Sequence, residues 1–146
     1  MENSQLQLKK ILGIDYGRKY TGLATYKVGV DPYALMWGRI KYESDEQLIK
    51  EIQLIIEDEF IDLIALGVPY FTDGKSSTMT KTVQDFANKL AKKIDLPIHQ
   101  VDETLTTFEA QERMKNSPRF NFKVDFNQID ALCATIIIEE FLAKHK

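Results

Sequence analysis

The stretch of residues 11–24 constrains the fold more than any other part of the chain. An apolar run ends in the carboxylate of Asp15, Gly17 follows two residues later, and apolar residues resume after Gly22. This pattern predicts a buried strand, a tight turn and a second strand that returns antiparallel to the first. A carboxylate is costly to bury without a partner, and a metal cation is one such partner. Aspartate also favours turns, so this stretch alone leaves open whether Asp15 binds a ligand or only shapes the turn.

Downstream of this hairpin, strands and helices alternate. The predicted elements are a third strand over 33–42, a helix that begins with a capping box at Ser44, an apolar strand over 61–69, a helix around 79–94, a strand over 98–101, a helix over 106–114 and a last helix from about Gln128. The order β-β-β-α-β-α-β-α-α predicts an α/β fold in which a mixed sheet carries helices on its faces. Sites in such sheets lie at the carboxyl ends of the parallel strands.

Several local interpretations accompany this order. Phe60 is predicted to complete the apolar face of the helix after Ser44. Tyr33 and Trp37 are predicted to lie in the core rather than to stack on bases. A second capping box, over residues 106–109, is predicted to start the third helix. Together these assignments predict which side chains face the sheet.

Length, charge and cysteine content limit the classes of protein to consider. The 146 residues predict one domain over 1–146, with a flexible polar N-terminus over 1–9. The net charge of −3 gives no general attraction for nucleic acid, so such binding needs a local patch. The single cysteine, Cys133, argues against disulfides and cysteine-ligated zinc, and His99 is interpreted as a packed or surface residue. Without an apolar membrane span or a signal peptide, a cytoplasmic protein is expected.

Three acids fall at comparable places in the predicted fold. Asp15 ends or lies within the first strand, Glu103 ends the last strand, and Asp130 lies in the first turns of the last helix beside the small residues Ala131 and Ala134. Taken singly, each has an ordinary explanation, as a solvated acid or one favoured by the helix dipole. Together at one sheet edge, they would repel unless a divalent cation neutralised them. Carboxylate oxygens favour Mg²⁺ or Mn²⁺ over zinc.

Four motifs carry a resemblance to a known family. They are Ile11 to Gly17, Ala65 to Pro69 with Asp73-Gly74, Asp102 to Thr107, and Ile129 to Ala134. In this order and spacing they resemble the YqgF family, described as Holliday junction resolvases (RuvX) and as nucleases that mature pre-16S ribosomal RNA. The resemblance covers the chain from Ile11 to about Leu142. It implies a ribonuclease-H-like fold, with a five-stranded mixed sheet of three antiparallel and then two parallel strands.

The same resemblance implies a two-metal phosphodiesterase site that uses Mg²⁺ or Mn²⁺. Asp15, Glu103 and Asp130 match the family's three acidic positions, which are both catalytic and metal-binding. Asp125 is an alternative third ligand, although it is better interpreted as a helix cap with Gln128 three residues on. Cations on loops near the motifs are candidates for substrate phosphate contacts: Arg18, Lys19, Lys75, Arg119 and Lys123.

This chain departs from the family pattern at two places. Thr104 follows Glu103 where the family commonly has arginine, and Arg18-Lys19 precede Tyr20 where the family often has Lys-Arg. Both changes leave the acids intact. They bear on the affinity for substrate and on its geometry.

The resemblance implies a metal-dependent endonuclease in the 5′-end maturation of pre-16S rRNA. One alternative is a Holliday junction resolvase that acts on four-way DNA. An alternative of another class is a non-catalytic nucleic-acid- or protein-binding module, favoured by Thr104 and the net negative charge but opposed by the intact acids. The first motif also looks like the phosphate loop of actin-like and Hsp70-like ATPases, which need two such domains to close a nucleotide cleft.

The expected partners are nucleic acid, with RNA favoured over a DNA junction, and a ribosomal particle. The protein is expected to be a monomer or homodimer without membrane contact.

Overall fold

A computed structural model describes residues 3–145. Its helices are α1 (Asn3–Leu6), α2 (Asp45–Glu59), α3 (Thr78–Ala91), α4 (Thr106–Lys115) and α5 (Ile129–Ala143), with a 3₁₀ helix over Pro118–Phe120. Its strands are β1 (Lys10–Asp15), β2 (Tyr20–Lys27), β3 (Leu35–Lys41), β4 (Leu63–Val68) and β5 (Ile98–Asp102). The predicted alternation of strands and helices is thus confirmed. None of the helices in the described range is long and apolar enough to cross a membrane.

The five strands form one mixed sheet in the order β3-β2-β1-β4-β5. The pairs β1–β2 and β2–β3 are antiparallel, whereas β1–β4 and β4–β5 are parallel. This confirms the predicted pattern of three antiparallel strands followed by two parallel ones. Every residue of β4 is buried, as expected for a central strand with helices on both faces. The carboxyl ends of β1, β4 and β5 meet at one edge, where Asp15 and Glu103 lie.

Two glycines let helix α5 lie unusually close to the sheet. A methyl group on Gly13 of β1 would come within 2.7 Å of the Ala134 carbonyl oxygen, and one on Gly22 of β2 would overlap the backbone of Asp130. Ala131 and Ala134 are buried on the facing side of α5, as their small size predicted. The close packing brings the first turn of α5 against the end of β1. The position of Asp130 in the site therefore depends on residues without side chains in β1 and β2.

The opposite face of the sheet is covered by α2 and α3. The predicted capping box of α2 is present: the Ser44 hydroxyl accepts from the Gln47 amide, and the Gln47 side chain accepts from the Ser44 amide. The prediction for Phe60 is wrong. Its backbone adopts a left-handed conformation (φ 54°) that ends α2, so the ring leaves the apolar face and is 83% exposed.

Strand β3 is shorter than predicted and lies at an edge of the sheet. Ile40 is its one buried residue, while Tyr33 and Trp37 are exposed. The expectation that these two aromatic rings lie in the core is therefore wrong. An edge strand has a neighbour on one side only, and the apolar pattern of the sequence does not reveal which strand takes that place.

Two further predictions need correction. Leu6, inside the segment expected to be flexible, is fully buried in a cluster with Ile11 and Phe141. Residues 1 and 2 of that segment lie outside the described residues. The capping box predicted over 106–109 is not formed, because Leu105 takes the N-cap position in a left-handed conformation (φ 67°) without a side-chain cap bond. Thr106 is instead buried inside α4.

Candidate active site

The carboxyl groups of Asp15 and Glu103 lie close enough together for each to shift the pKa of the other. Asp15 is the last residue of β1, and Glu103 directly follows β5, where its amide donates to the Val68 carbonyl (3.1 Å). Both side chains are partly buried. Space for Glu103 comes from Gly67 of β4, since a methyl group there would lie 2.8 Å from the Glu103 carboxyl carbon. The sheet therefore holds the two carboxyl groups close together, and the absence of a side chain at Gly67 leaves room for the one on Glu103.

This contact changes how both acids titrate. Burial raises the pKa of Asp15 to about 6, and the charge of Asp130 adds to the rise. Burial, followed by the charge of Asp15, raises the pKa of Glu103 to about 10. Two carboxylates in contact repel unless a proton or a cation lies between them, so the pair retains a proton near neutral pH. A hard divalent cation in place of that proton suits this oxygen-only pair.

Asp130 lies in the first turn of α5, on the other side of Asp15 from Glu103. Burial raises its pKa, and the charge of Arg39 opposes the rise. The nearest guanidinium nitrogen of Arg39 is 4.0 Å from the Asp130 carboxylate. Within residues 3–145, no three acidic, histidine or cysteine side chains converge closely enough to hold one ion. Asp15 and Glu103 are thus in contact, with Asp130 close enough to act on Asp15 through its charge.

Arg39 is a site residue that the sequence analysis missed. It lies opposite Gly22 in the β2–β3 pairing, so its side chain reaches toward α5 over a position without a side chain. The available signal was a cation among apolar and aromatic residues, although Lys41 of the same strand gives the same signal. The pairing register, which the sequence does not give, places this cation beside Asp130.

A cleft of about 520 Å³ adjoins the acids on the Arg39 side. Its lining residues come from the β1–β2 turn, β3 and the start of α5: Gly17, Arg18, Lys19, Tyr20, Arg39, Phe126, Asn127, Ile129 and Asp130. Two of the predicted phosphate-binding cations therefore lie next to the acids. The turn that carries them needs glycine at position 17, because a side chain there would overlap the Tyr20 carbonyl. The Thr21 hydroxyl bridges the two backbone groups of Gly17 and so fixes this turn.

The other three predicted phosphate-binding cations lie on loops outside this cleft. Lys75 is in the loop after β4, Arg119 is in the 3₁₀ helix, and Lys123 is in the segment that leads to α5. The Arg119 guanidinium lies 5.5 Å from the centre of the Phe120 ring. The three are exposed and are not brought together with Arg18 and Lys19.

Asp125 organises the turn before α5. Its carboxylate accepts from the Asn127 amide (2.9 Å) and from the Gln128 side chain (2.7 Å), and these hydrogen bonds lower the pKa of Asp125. The N-cap position of α5 is taken by Gln128, which makes no side-chain cap bond. The predicted cap role of Asp125 is therefore corrected to that of a turn residue three positions ahead of the N-cap residue, Gln128.

The side chain of Thr104 is hydrogen-bonded to Asp102 and not to Asp15 or Glu103. The Thr104 hydroxyl donates to the Asp102 carboxylate (2.6 Å), and the Thr104 amide donates to the same oxygen (2.9 Å). These contacts lower the pKa of Asp102. Asp102 is exposed whereas Glu103 is partly buried, consistent with the alternation expected along a strand. The residue that replaces the family arginine thus fixes the turn into α4.

Cys133 is the remaining polar group beside the acids. It is buried one turn after Asp130, and its thiol is close enough to Asp15 to oppose the rise in the pKa of that carboxyl group. Burial and the nearby charge of Asp15 raise the pKa of the thiol. The thiol therefore stays protonated and neutral.

Comparisons with known proteins show the family and the fold of this chain. The model of the RuvX family, described as Holliday junction resolvase, matches residues 9–144. A protein of Maridesulfovibrio salexigens named "Putative pre-16S rRNA nuclease" is 34% identical over 138 residues, covering 92% of this chain and 98% of its own length. A Synechocystis protein of the same name is 34% identical over 131 residues, covering 90% of this chain and 85% of its own length.

Solved structures with the same fold come from resolvases. T. thermophilus RuvC in complex with Holliday junction substrate superposes with a TM-score of 0.60 at 11% identity, over 93% of this chain and 96% of that one. The yeast mitochondrial Holliday junction resolvase Ydc2 gives a TM-score of 0.54 at 11% identity, over 92% of this chain and 77% of that one. At such identity the likeness shows the fold alone, and it confirms the predicted ribonuclease-H-like architecture. With a family match over nearly its whole length, this chain belongs to the RuvX family of nucleases.

Proposed function

We propose that this protein is a metal-dependent endonuclease that cuts RNA in the 5′-end maturation of pre-16S rRNA. The observation that carries the proposal is the buried contact between Asp15 and Glu103 at the carboxyl ends of two parallel strands. A pair of acids with raised pKa values in such a place is typical of a functional site. The proposed substrate, pre-16S rRNA, is taken from the names of the two relatives.

The residues present fit a divalent cation. Asp15 and Glu103 offer only oxygen donors, Gly67 leaves the room that the Glu103 carboxylate occupies, and the pair needs a positive charge once its proton is lost. Asp130 is proposed as the third acid of the site, because its charge already acts on Asp15. Oxygen donors of this kind select Mg²⁺ or Mn²⁺.

The proposed reaction is hydrolysis of a phosphodiester bond. The attacking water forms a bond to phosphorus and loses a proton to solvent, while the bond to the leaving oxygen breaks and that oxygen takes up a proton from solvent. Mg²⁺ or Mn²⁺, when bound, would supply the charge that activates the water and stabilises the leaving oxygen. Asp15 and Glu103 would release their shared proton to solvent and hold the ion. Arg18 and Lys19, on the turn beside the acids, hold substrate phosphates in the adjoining cleft.

RNA is favoured over four-way DNA as the substrate. A net charge of −3 gives little long-range attraction for a bare junction with dense phosphate on every arm. A ribosomal particle would present the RNA and supply affinity that this surface lacks. The proposal includes a cytoplasmic location and a monomer or homodimer. Junction resolution is the second candidate, because the family model carries that description. The acid pair argues against a non-catalytic binding module.

A cleavage assay tests the proposal. Wild-type protein is incubated with a labelled single-stranded RNA and Mn²⁺ or Mg²⁺, in parallel with Asp15→Asn. We expect endonucleolytic products that require the metal and disappear in the variant, because the variant loses one of the two paired carboxylates. Products that persist in EDTA, or at an equal rate in Asp15→Asn, would rule out this site.

A further inference from the structure

The Arg39 side chain is held in a defined position inside the cleft. Its guanidinium carbon lies 3.7 Å from the centre of the Tyr20 ring. Its nitrogens donate to the Phe126 carbonyl (3.4 Å) and to the Asn127 side-chain oxygen (3.2 Å). These two acceptors are neutral, the ion pair with Asp130 is 4.0 Å long, and a guanidinium carries five N–H donors. Arg39 therefore presents a positioned charge with donors to spare, next to the acidic site.

Phe126 supplies a different kind of surface in the same cleft. Its side chain is 71% exposed, although the peptide bond that follows it is hydrogen-bonded through both its oxygen and its N–H. Arg39 binds the Phe126 carbonyl, and the next amide, of Asn127, donates to Asp125 (2.9 Å). A large apolar ring is thus offered to solvent at a fixed place beside three cations.

Positioned cations and an exposed aromatic ring are the two components that bind single-stranded nucleic acid. Cations follow the phosphates, and an aromatic ring stacks on an unpaired base. We propose that Arg39, supported by Tyr20, binds a phosphate and that Phe126 stacks on the base of one nucleotide beside the bond that is cut. The subsite adjoins the acids through Asp130, which lines the same cleft. This inference rests on the proposed nuclease function and specifies its substrate as an unpaired strand.

The subsite should distinguish an unpaired strand from a duplex. A base in a duplex is covered by its neighbours and cannot stack on Phe126 unless it is flipped out, whereas the phosphates remain accessible to Arg39 in either form. The two residues should therefore differ in their response to salt and to strand pairing. A merely structural role for either residue would not produce this difference.

The experiment measures binding of a fluorescent RNA oligonucleotide by anisotropy, over a range of salt, in EDTA to prevent metal-dependent turnover. The RNA is used both as a single strand and as a duplex with its complement. The variants are Arg39→Gln and Phe126→Ala. Their matched controls are Lys92→Gln, which removes a charge just after α3, and Phe60→Ala, which removes an exposed ring at the opposite edge of the sheet.

Arg39→Gln should lower the salt dependence of single-strand binding, with the slope of log K against log salt reduced by about 0.7. Phe126→Ala should weaken single-strand binding roughly five-fold or more, leave the salt slope unchanged, and have no effect on the duplex. Both controls should bind as wild type does. Because the Phe126 ring is 71% exposed, we expect Phe126→Ala to leave the fold intact.

Three outcomes would overturn the subsite. If wild type cleaves RNA with Mn²⁺ while both variants bind as their controls do, the nuclease stands and the subsite fails. If Phe126→Ala weakens duplex and single strand equally, the ring does not stack on an unpaired base. A wild-type protein that neither binds nor cleaves RNA overturns the proposed function together with the subsite.

Discussion

At the scale of single residues, the acids are the part of the site that the sequence reveals best. Asp15 and Glu103 end predicted strands whose carboxyl ends meet, so simple topology predicts their approach. Asp130 is harder to place, since its approach needs Gly22 to accept the backbone of α5. Arg39 is missed because its role depends on the register between β2 and β3. Site residues are therefore predictable where the order of strands alone brings them together. They are not predictable where the register between two strands determines their position.

Removal of one acid should stabilise the metal-free protein. The pKa of Asp15 lies near 6 in the folded state against 3.8 ordinarily, so above pH 3.8 the unfolded state releases its proton first and stability falls until about pH 6. Asp15→Asn removes this cost, and we expect it to raise the free energy of unfolding at pH 7 by on the order of 2 kcal/mol.

Mn²⁺ should raise the melting temperature of wild type by mass action but not that of the variant. A wild-type melting curve that saturating Mn²⁺ leaves unchanged would contradict the metal site.

The choice between Asp130 and Asp125 is decided by a second pair of variants. Asp130→Asn should remove nearly all metal-dependent cleavage, because its charge acts directly on Asp15. Asp125→Asn should retain most of it, since its carboxylate is engaged with Asn127 and Gln128. Both proteins should melt cooperatively, which separates loss of chemistry from loss of fold. The reverse pattern would make Asp125 the third acid.

At the scale of elements, a buried polar cluster joins the start of α2 to the sheet and to α3. Asp45 accepts from the hydroxyls of Tyr16 (2.7 Å) and Tyr42 (2.8 Å), and Lys89 of α3 donates to its other oxygen (2.9 Å). Tyr16 directly follows Asp15, so this cluster also holds the end of β1. The apolar pattern predicts α2 and α3 but not their polar connection, because hydrogen bonds between distant residues leave no periodic signal.

The pH dependence of stability tests this cluster. Burial alone would raise the pKa of Asp45, but the hydrogen bonds from Tyr16, Lys89 and Tyr42 outweigh it and lower the pKa below 3.8. The stabilisation is therefore present above pH 3.8 and is lost as the pH falls through the lower folded value. Asp45→Asn should cost about 1–2 kcal/mol at pH 7, with the difference from wild type vanishing in acid. Chemical denaturation from pH 2 to 7 measures it, with the exposed Asp58→Asn as control. A cost that is independent of pH would mean that the charge of Asp45 contributes nothing.

At the scale of the whole molecule, charge and shape limit the substrate. The net charge is −3, while three cations are gathered in one cleft beside the acids. A small positive surface on an acidic protein suits a few phosphates of a flexible strand better than the arms of a junction. Junction resolution also needs two active sites related by two-fold symmetry, so that paired strands are cut together.

A comparison of the two substrates tests this limit directly. Single-stranded RNA and a four-way DNA junction are incubated with the protein and Mn²⁺ at equal concentration, at low salt and at physiological salt. We expect RNA to be cut faster at physiological salt, and the junction to lose more of its cleavage than RNA as salt rises, because binding to many phosphates depends more steeply on salt. Asp15→Asn serves as the control for a contaminating nuclease. Symmetric paired nicks in the junction at physiological salt, with the RNA left intact, would assign the protein to junction resolution instead.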